Sequence, residues 1–262
     1  MINNIKAVII IFALSIIVFF MSIFTIIRQF NYEVSEPVSD AKIIDTPAAM
    51  PPYLLPTTQT DTPAPTPMPA PARVLIDPGH GGSDYGASSD TLGIDEKAVN
   101  MYIALKLYSL LQQDRDRVYV NMTRFSDASV SLHERASMAN ASYDFMISIH
   151  CNTSNTSSVC GISGFYQTHA GIDKPFTSEE LARTIQGSAA AATNAHDRGI
   201  VEDYDLYILN HTTIPTVLIE TGFLTNPLEL KQLQDSVYVD KLAEGLRLGI
   251  LEMANRVIES RR

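Results

Sequence analysis

The sequence predicts an α/β fold: a three-layer arrangement with a mostly parallel central sheet, helices on both faces, and a single catalytic domain. Three observations carry that prediction. From Arg73 onward short β-branched runs alternate with helix-periodic ones, the order that builds parallel sheets. Several of the strand-like runs are apolar throughout, as strands covered on both faces are. The helix-periodic runs open on recognisable N-caps.

Taken in chain order, the first segment is the uncharged run Ala7 to Ile27. At ~1.5 Å per residue it reaches ~32 Å, enough to cross the hydrocarbon of a bilayer. Arg28, Gln29, Phe30, Asn31 and Tyr32 follow directly, without the small residues of a cleavage site, so residues 1–30 read as an uncleaved N-terminal membrane anchor rather than a secretion signal. Residues 31–72 hold ten of the fourteen prolines and few large apolar groups, and read as a Pro/Thr/Ala-rich linker in extended form. Residues 73–262 form the folded part. Within it Val74–Ile76, Val118–Val120, Phe145–Ile149, Gly164–Tyr166 and Thr216–Ile219 read as strands. Glu96 to Gln113 carries Val99, Ile103, Leu107, Leu110 and Leu111 at helical spacing. Ser131 with Glu134 and Thr177 with Glu180 are capping-box pairs, Asn226-Pro227 is a cap followed by proline at the first helical position, and Leu242 to Val257 has an amphipathic stripe.

A formal net charge of −10, with no basic stripe, argues against a nucleic-acid partner. It also offers no long-range attraction to an anionic polymer, which would have to be recognised at short range. Of the two cysteines, Cys151 and Cys160, two readings stay open: a small disulfide loop if the domain lies outside the cytoplasm, or two unpaired thiols.

Four residues stand where strand-like runs end or helices begin. His80 lies in the glycine-rich turn Asp77-Pro78-Gly79-His80-Gly81-Gly82, Glu96 opens the first helix, His150 closes the strand FMISIH, and Glu220 closes TVLIE. In parallel α/β sheets the carboxyl ends of the strands share one edge, so all four can meet there. Two imidazoles and one carboxylate are the ligand set of an open zinc site, and a spare carboxylate is the base such a site uses. Asp95 is the alternative to Glu96. Asp77 is read either as orienting a ligand imidazole or as stabilising its own turn. His133, His169, His196 and His211 read as surface or cap residues. His133-Glu134 begins like a metalloprotease HExxH helix, but Ser137 stands where the second histidine is needed.

VLIDPGHGGSDYGA, the Glu96-Lys97 helix start, TRFSD, SLHERASMAN, FMISIHCN and LYILNHTTIPTVLIETGFLTN occur in one order and spacing. Together they resemble the zinc-dependent N-acetylmuramoyl-L-alanine amidases of the amidase 3 family over about residues 73–257, and a single domain behind an N-terminal membrane segment also resembles the family's spore-cortex type. The resemblance implies zinc held by His80, Glu96 and His150, with Glu220 as the catalytic carboxylate that acts as base and then acid. It implies peptidoglycan as substrate and cleavage between the lactyl group and L-alanine; with that function the single N-terminal span read above would hold the catalytic domain on the outer side of the cell membrane, and a monomer is expected. Tyr85 stands where proline is usual in the family, and Cys151 where alanine is commoner. Some members carry a blocking helix after the second histidine, and the spacing to Glu179 leaves no room for one here.

Overall fold

The computed structural model describes residues 69–89 and 93–262. The expected anchor, 1–30, and the linker up to residue 68 lie outside the described residues. Among the described residues no helix is long and apolar enough to cross a membrane.

The strands are β1 (Ala72–Pro78), β2 (Ser88–Ser89), β3 (Ile94–Asp95), β4 (Val118–Met122), β5 (Phe145–Asn152), β6 (Ile162–Tyr166), β7 (Asp197–Glu202) and β8 (Thr216–Phe223). The helices are α1 (Glu96–Leu111), α2 (Leu132–Ser142), α3 (Ser178–Thr193), α4 (Tyr207–His211), α5 (Pro227–Gln234) and α6 (Ser236–Ser260). Six strands form the main sheet in the order β4-β1-β5-β8-β6-β7. The pairs β1/β4, β1/β5, β5/β8 and β6/β7 are parallel, and β6 meets β8 antiparallel, so two strands run against the other four.

Strand alternation divides the core between the two faces. Val74, Ile76, Phe145, Ile147, Ile149, Val217 and Ile219 point into the larger core, which α1, α3 and α6 complete. Leu75, Met146 and Leu218, one position out of phase, face the smaller core closed by Ala136 and Ala139 of α2 and by Ile208 and Leu209 of α4. Each fully buried side chain of this kind contributes roughly 1.5–3 kcal/mol. Both capping boxes form, with Ser131 and Thr177 accepting from the backbone N–H of Glu134 and Glu180. Asn226 caps α5 by accepting from Leu228 and Glu229.

The structure departs from the sequence reading at several places, the short antiparallel pair β2/β3 among them. β7 is an extra edge strand, and its sequence DRGIVE, largely exposed, lacks the apolar alternation that announces a strand. α4, only five residues long, is too short to show a period. His150 and Glu220 are not the last residues of their strands, since β5 runs on to Asn152 through an irregularity and β8 runs on to Phe223.

Candidate metal centre and catalytic carboxylate

The turn after β1 is held by two buried arginines. Arg124 donates from Nε to the carbonyl of Pro78 at 3.0 Å and from Nη2 to that of Gly79 at 2.8 Å. Arg135, on α2, donates to the carbonyls of Pro78 at 2.8 Å and His80 at 2.6 Å. Arg135 is itself held by Asp77 at 2.5 Å, and Asp77 also accepts from the hydroxyls of Thr123 at 2.6 Å and Ser148 at 2.7 Å. Asp77 therefore touches no ligand imidazole and does not simply brace its own turn; its carboxylate ties β1 to β5, to Thr123 after β4 and to α2. The turn needs this support because His80 sits at φ 59°, a left-handed conformation that costs a non-glycine residue of order 1–3 kcal/mol.

Within that frame the imidazole of His80 is oriented by Asp84, whose Oδ2 lies 2.9 Å from Nδ1. Nε2 is thereby left to face Glu96 Oε1 at 3.1 Å. The same Glu96 oxygen lies 3.0 Å from Nδ1 of His150 and accepts from the Cys151 N–H at 3.1 Å and the Asn100 amide at 3.2 Å, while Oε2 accepts from the Ala87 N–H at 2.8 Å. Glu96 rather than Asp95 thus meets both imidazoles. Gly79 makes the approach possible, because a Cβ there would fall 2.2 Å from the His150 ring. Gly79→Ala is accordingly expected to keep the fold but displace the His150 ring and weaken metal binding by at least tenfold, a loss in the range reported for disturbed ligand surroundings; a zinc titration beside a circular-dichroism melt checks both halves.

The donor atoms of His80, Glu96 and His150 lie within 4.8 Å of one another. The two closest separations, 3.0 and 3.1 Å, compare with roughly 3.3 Å between ligands on a tetrahedral zinc with its usual bond lengths. Two nitrogens and a carboxylate oxygen also suit that ion chemically, so the residues fit the group. Without it, burial would raise the Glu96 carboxyl, but hydrogen bonds from His150 and His80 override burial and hold it well below the usual carboxylate range. Burial likewise opposes charge on His80, yet Glu96 and then Asp84 raise it to about 9.

Glu220 lies on β8 in register with His150 on β5, so the two side chains leave the sheet on the same face. Its Oε2 is shielded from solvent and has no hydrogen-bond partner. Burial pushes its pKa up to about 7, against the opposing electrostatic pull of the nearby His150 imidazole. The strand is fixed around it: Thr221 Oγ1 donates to the His150 carbonyl at 2.9 Å, and Glu229 of α5 accepts from the N–H groups of Phe223 and Gly161, each at 2.8 Å. The structure thus brings all four singled-out residues to one edge of the sheet. Asp84, Asn100 and Glu229 were not singled out; an acid four residues after a turn histidine, and Asn100 one helical turn after Glu96, were the available signals. Arg124 and Arg135 belonged to recognised motifs, but bonding to turn carbonyls leaves no pattern in sequence.

Both cysteines are free, and Cys151 is buried with its sulfur 3.3 Å from the Thr221 hydroxyl. Between Asn152 and Ser178, where α3 begins, the chain forms β6 and no helix. The other four histidines stay outside the cluster, His211 bonding the Tyr207 carbonyl and His169 that of Thr212.

The class this fold and arrangement define is an α/β protein with the donor set for metal-assisted hydrolysis. Comparison with known proteins sharpens it. The chain belongs to the Amidase_3 family, N-acetylmuramoyl-L-alanine amidase, whose model matches residues 74–252. It is 35% identical over 177 residues to N-acetylmuramoyl-L-alanine amidase LytC of Bacillus subtilis (strain 168), covering 67% of this chain but only 34% of LytC. It is 32% identical over 185 residues to the sporulation-specific N-acetylmuramoyl-L-alanine amidase of the same organism, covering 70% of this chain and 68% of that one. Among solved structures, the N-acetylmuramoyl-L-alanine amidase from Clostridium difficile 630 superimposes with a TM-score of 0.66 at 37% identity, over 71% of this chain and 97% of that one.

Proposed function

We propose that this protein hydrolyses peptidoglycan at the amide between the lactyl group of N-acetylmuramic acid and the L-alanine of the stem peptide. The observation that carries the reading is the unpartnered Glu220 carboxylate one strand away from the His80–Glu96–His150 cluster. Those three residues would hold zinc, which when bound supplies a water acidified towards neutral pH and polarisation of the amide carbonyl. Glu220 takes one proton from the attacking water as its oxygen joins the carbonyl carbon. It then delivers that proton to the alanine nitrogen as the carbon–nitrogen bond breaks. One carboxylate can serve both steps because burial raises its pKa from the ordinary carboxylate value towards neutrality, which favours proton exchange in both directions. Asp84, Asn100 and the Cys151 N–H orient the ligand side chains, and Arg124 with Arg135 keeps the His80 turn in place.

We also propose that residues 1–30 anchor the chain in the membrane with residues 73–262 on the extracytoplasmic side, supported by the apolar run 7–27 and the proline-rich stretch after it. Protease added to intact cells should then remove the catalytic domain and leave a membrane-bound stub.

The deciding experiment digests peptidoglycan with the purified protein, with and without chelator, and identifies products by mass spectrometry. A free L-alanine amine, lost on chelation and restored by zinc, is the expected result. A new amine farther along the stem would make the protein a peptidase, and activity indifferent to chelation would remove the metal from the proposal.

A further inference from the structure

A groove of about 580 Å³ opens at His80 and His150 and runs between the start of α2 and α4. Its walls are Val130 and Leu132 on one side and Leu206 and Tyr207 on the other, with Leu218 in the floor. Its charged groups are poorly suited to an anion. Asp84 and Glu134 face it, and its one guanidinium, Arg135, is already bonded to Asp77 and to three carbonyls. The bond cleaved in the proposed reaction has two unlike halves. The stem peptide bears free carboxylates, whereas the muramoyl half is N-acetylated and neutral once its lactyl group is in the amide. Away from the imidazoles, a mostly apolar groove faced by Asp84 and Glu134 accepts the neutral half more readily, since an anion there would be desolvated with only the already saturated Arg135 guanidinium within the lining.

We infer that this groove binds the N-acetylated sugar on the muramoyl side of the scissile amide, with Tyr207 as the ring on which the pyranose rests. The inference depends on the amidase reading above. Tyr207 is prepared for that role: its ring stacks on His211 at 3.7 Å between centroids and 6° between planes, and the His211 Nδ1 lies 2.9 Å from the Tyr207 carbonyl. A ring already fixed loses little freedom on binding, and its flat apolar face suits the C–H face of a sugar. The groove reaches the metal-ligand cluster, because His80 and His150 are among its lining residues and Glu220 is in register with His150 on the neighbouring strand, so a sugar seated there would lie beside the reacting centre.

The test compares two substrates with the full-length protein in detergent: N-acetylmuramoyl-L-alanyl-D-isoglutamine, and the same dipeptide carrying only the lactyl group. In Tyr207→Ala the ratio of kcat/KM between the sugar-bearing and sugar-less substrates should fall by up to about tenfold, the worth of one aromatic contact. Tyr207→Phe, which keeps the ring, should keep the ratio. Equal losses on both substrates, or an unchanged ratio in Tyr207→Ala, would overturn the assignment. Leu132→Lys, at an exposed wall position, gives an independent reading that does not depend on Tyr207. If KM in that variant dropped progressively as the anionic stem was lengthened, the groove would be holding the peptide and the assignment would be wrong. Failure of the wild-type protein to release an alanine amine from either substrate would overturn the amidase reading itself, a result separate from those on the ratio.

Discussion

Glu220→Gln is expected to leave a folded protein that still binds zinc and turns over roughly 10²–10⁴-fold more slowly, the range associated with loss of a general acid–base group. The amide is close to the carboxylate in shape, so the β8 backbone and its Glu229 clasp remain. The same variant carries a second, opposite signature. In the metal-free protein Glu220 has its pKa raised from 4.5 to about 7 by burial. The fold therefore favours the protonated form: its contribution is fully present below the unfolded value near 4.5, declines as pH rises towards 7, and above that becomes a constant cost. That cost is roughly 3 kcal/mol at about 1.4 kcal/mol per pKa unit. With chelator at pH 8, Glu220→Gln should be more stable than the wild type by about that amount, and the gain should vanish near pH 4.5. His80, Glu96 and His150 are present in both proteins, so the difference between them reports Glu220 together with its coupling to that cluster. Urea unfolding at the two pH values measures it. Loss of turnover accompanied by lower stability at pH 8 would mean that Glu220 is a structural residue.

Arg135→Ala is expected to be the most destabilising single change near the site. It strips the cation from Asp77, which is buried at 1% exposure and keeps only the two hydroxyl donors of Thr123 and Ser148. Breaking a buried pair from one side costs about 3–5 kcal/mol. For a domain of this size 1 kcal/mol corresponds to about 2–4 °C, so the melting temperature should fall by roughly 6–20 °C. The carbonyls of Pro78 and His80 lose a donor at the same time, so zinc affinity should fall with stability. Asp77→Asn added to Arg135→Ala removes the stranded charge and should recover part of the melting temperature, but not the zinc affinity, because the His80 carbonyl stays unheld. Equal recovery of both would show that Arg135 acts on the metal site only through global stability.

Much of this molecule was legible as one-dimensional pattern. β1, β5 and β8 were visible because strands covered on both faces are continuous apolar runs. α2, α3 and α5 were visible because an N-cap is satisfied within three residues of itself. β7 and α4 were not, the one being an exposed edge strand and the other a single helical turn. At the site, His80 and His150 stood out by position alone, each an ionisable group placed where an apolar strand gives way to the sheet edge. The support around them did not. Asp77 reads as a turn residue, yet its partners Thr123, Arg135 and Ser148 lie 46 to 71 positions away. The groove wall carrying Tyr207 likewise comes from a segment with no period to read.

Sequence alone determined the α/β class, the family, and which four side chains could meet at one edge of the sheet, because periodicity, caps and motif spacing are local properties of the chain. Only the tertiary structure decided that Asp84 rather than Asp77 orients His80, that Gly79 makes room for the His150 ring, that Glu220 is left with an unpartnered oxygen, and that an apolar groove begins at the imidazoles. Each of those facts is a distance between atoms far apart along the chain, and such distances exist only once the sheet order and the packing of both faces have been set.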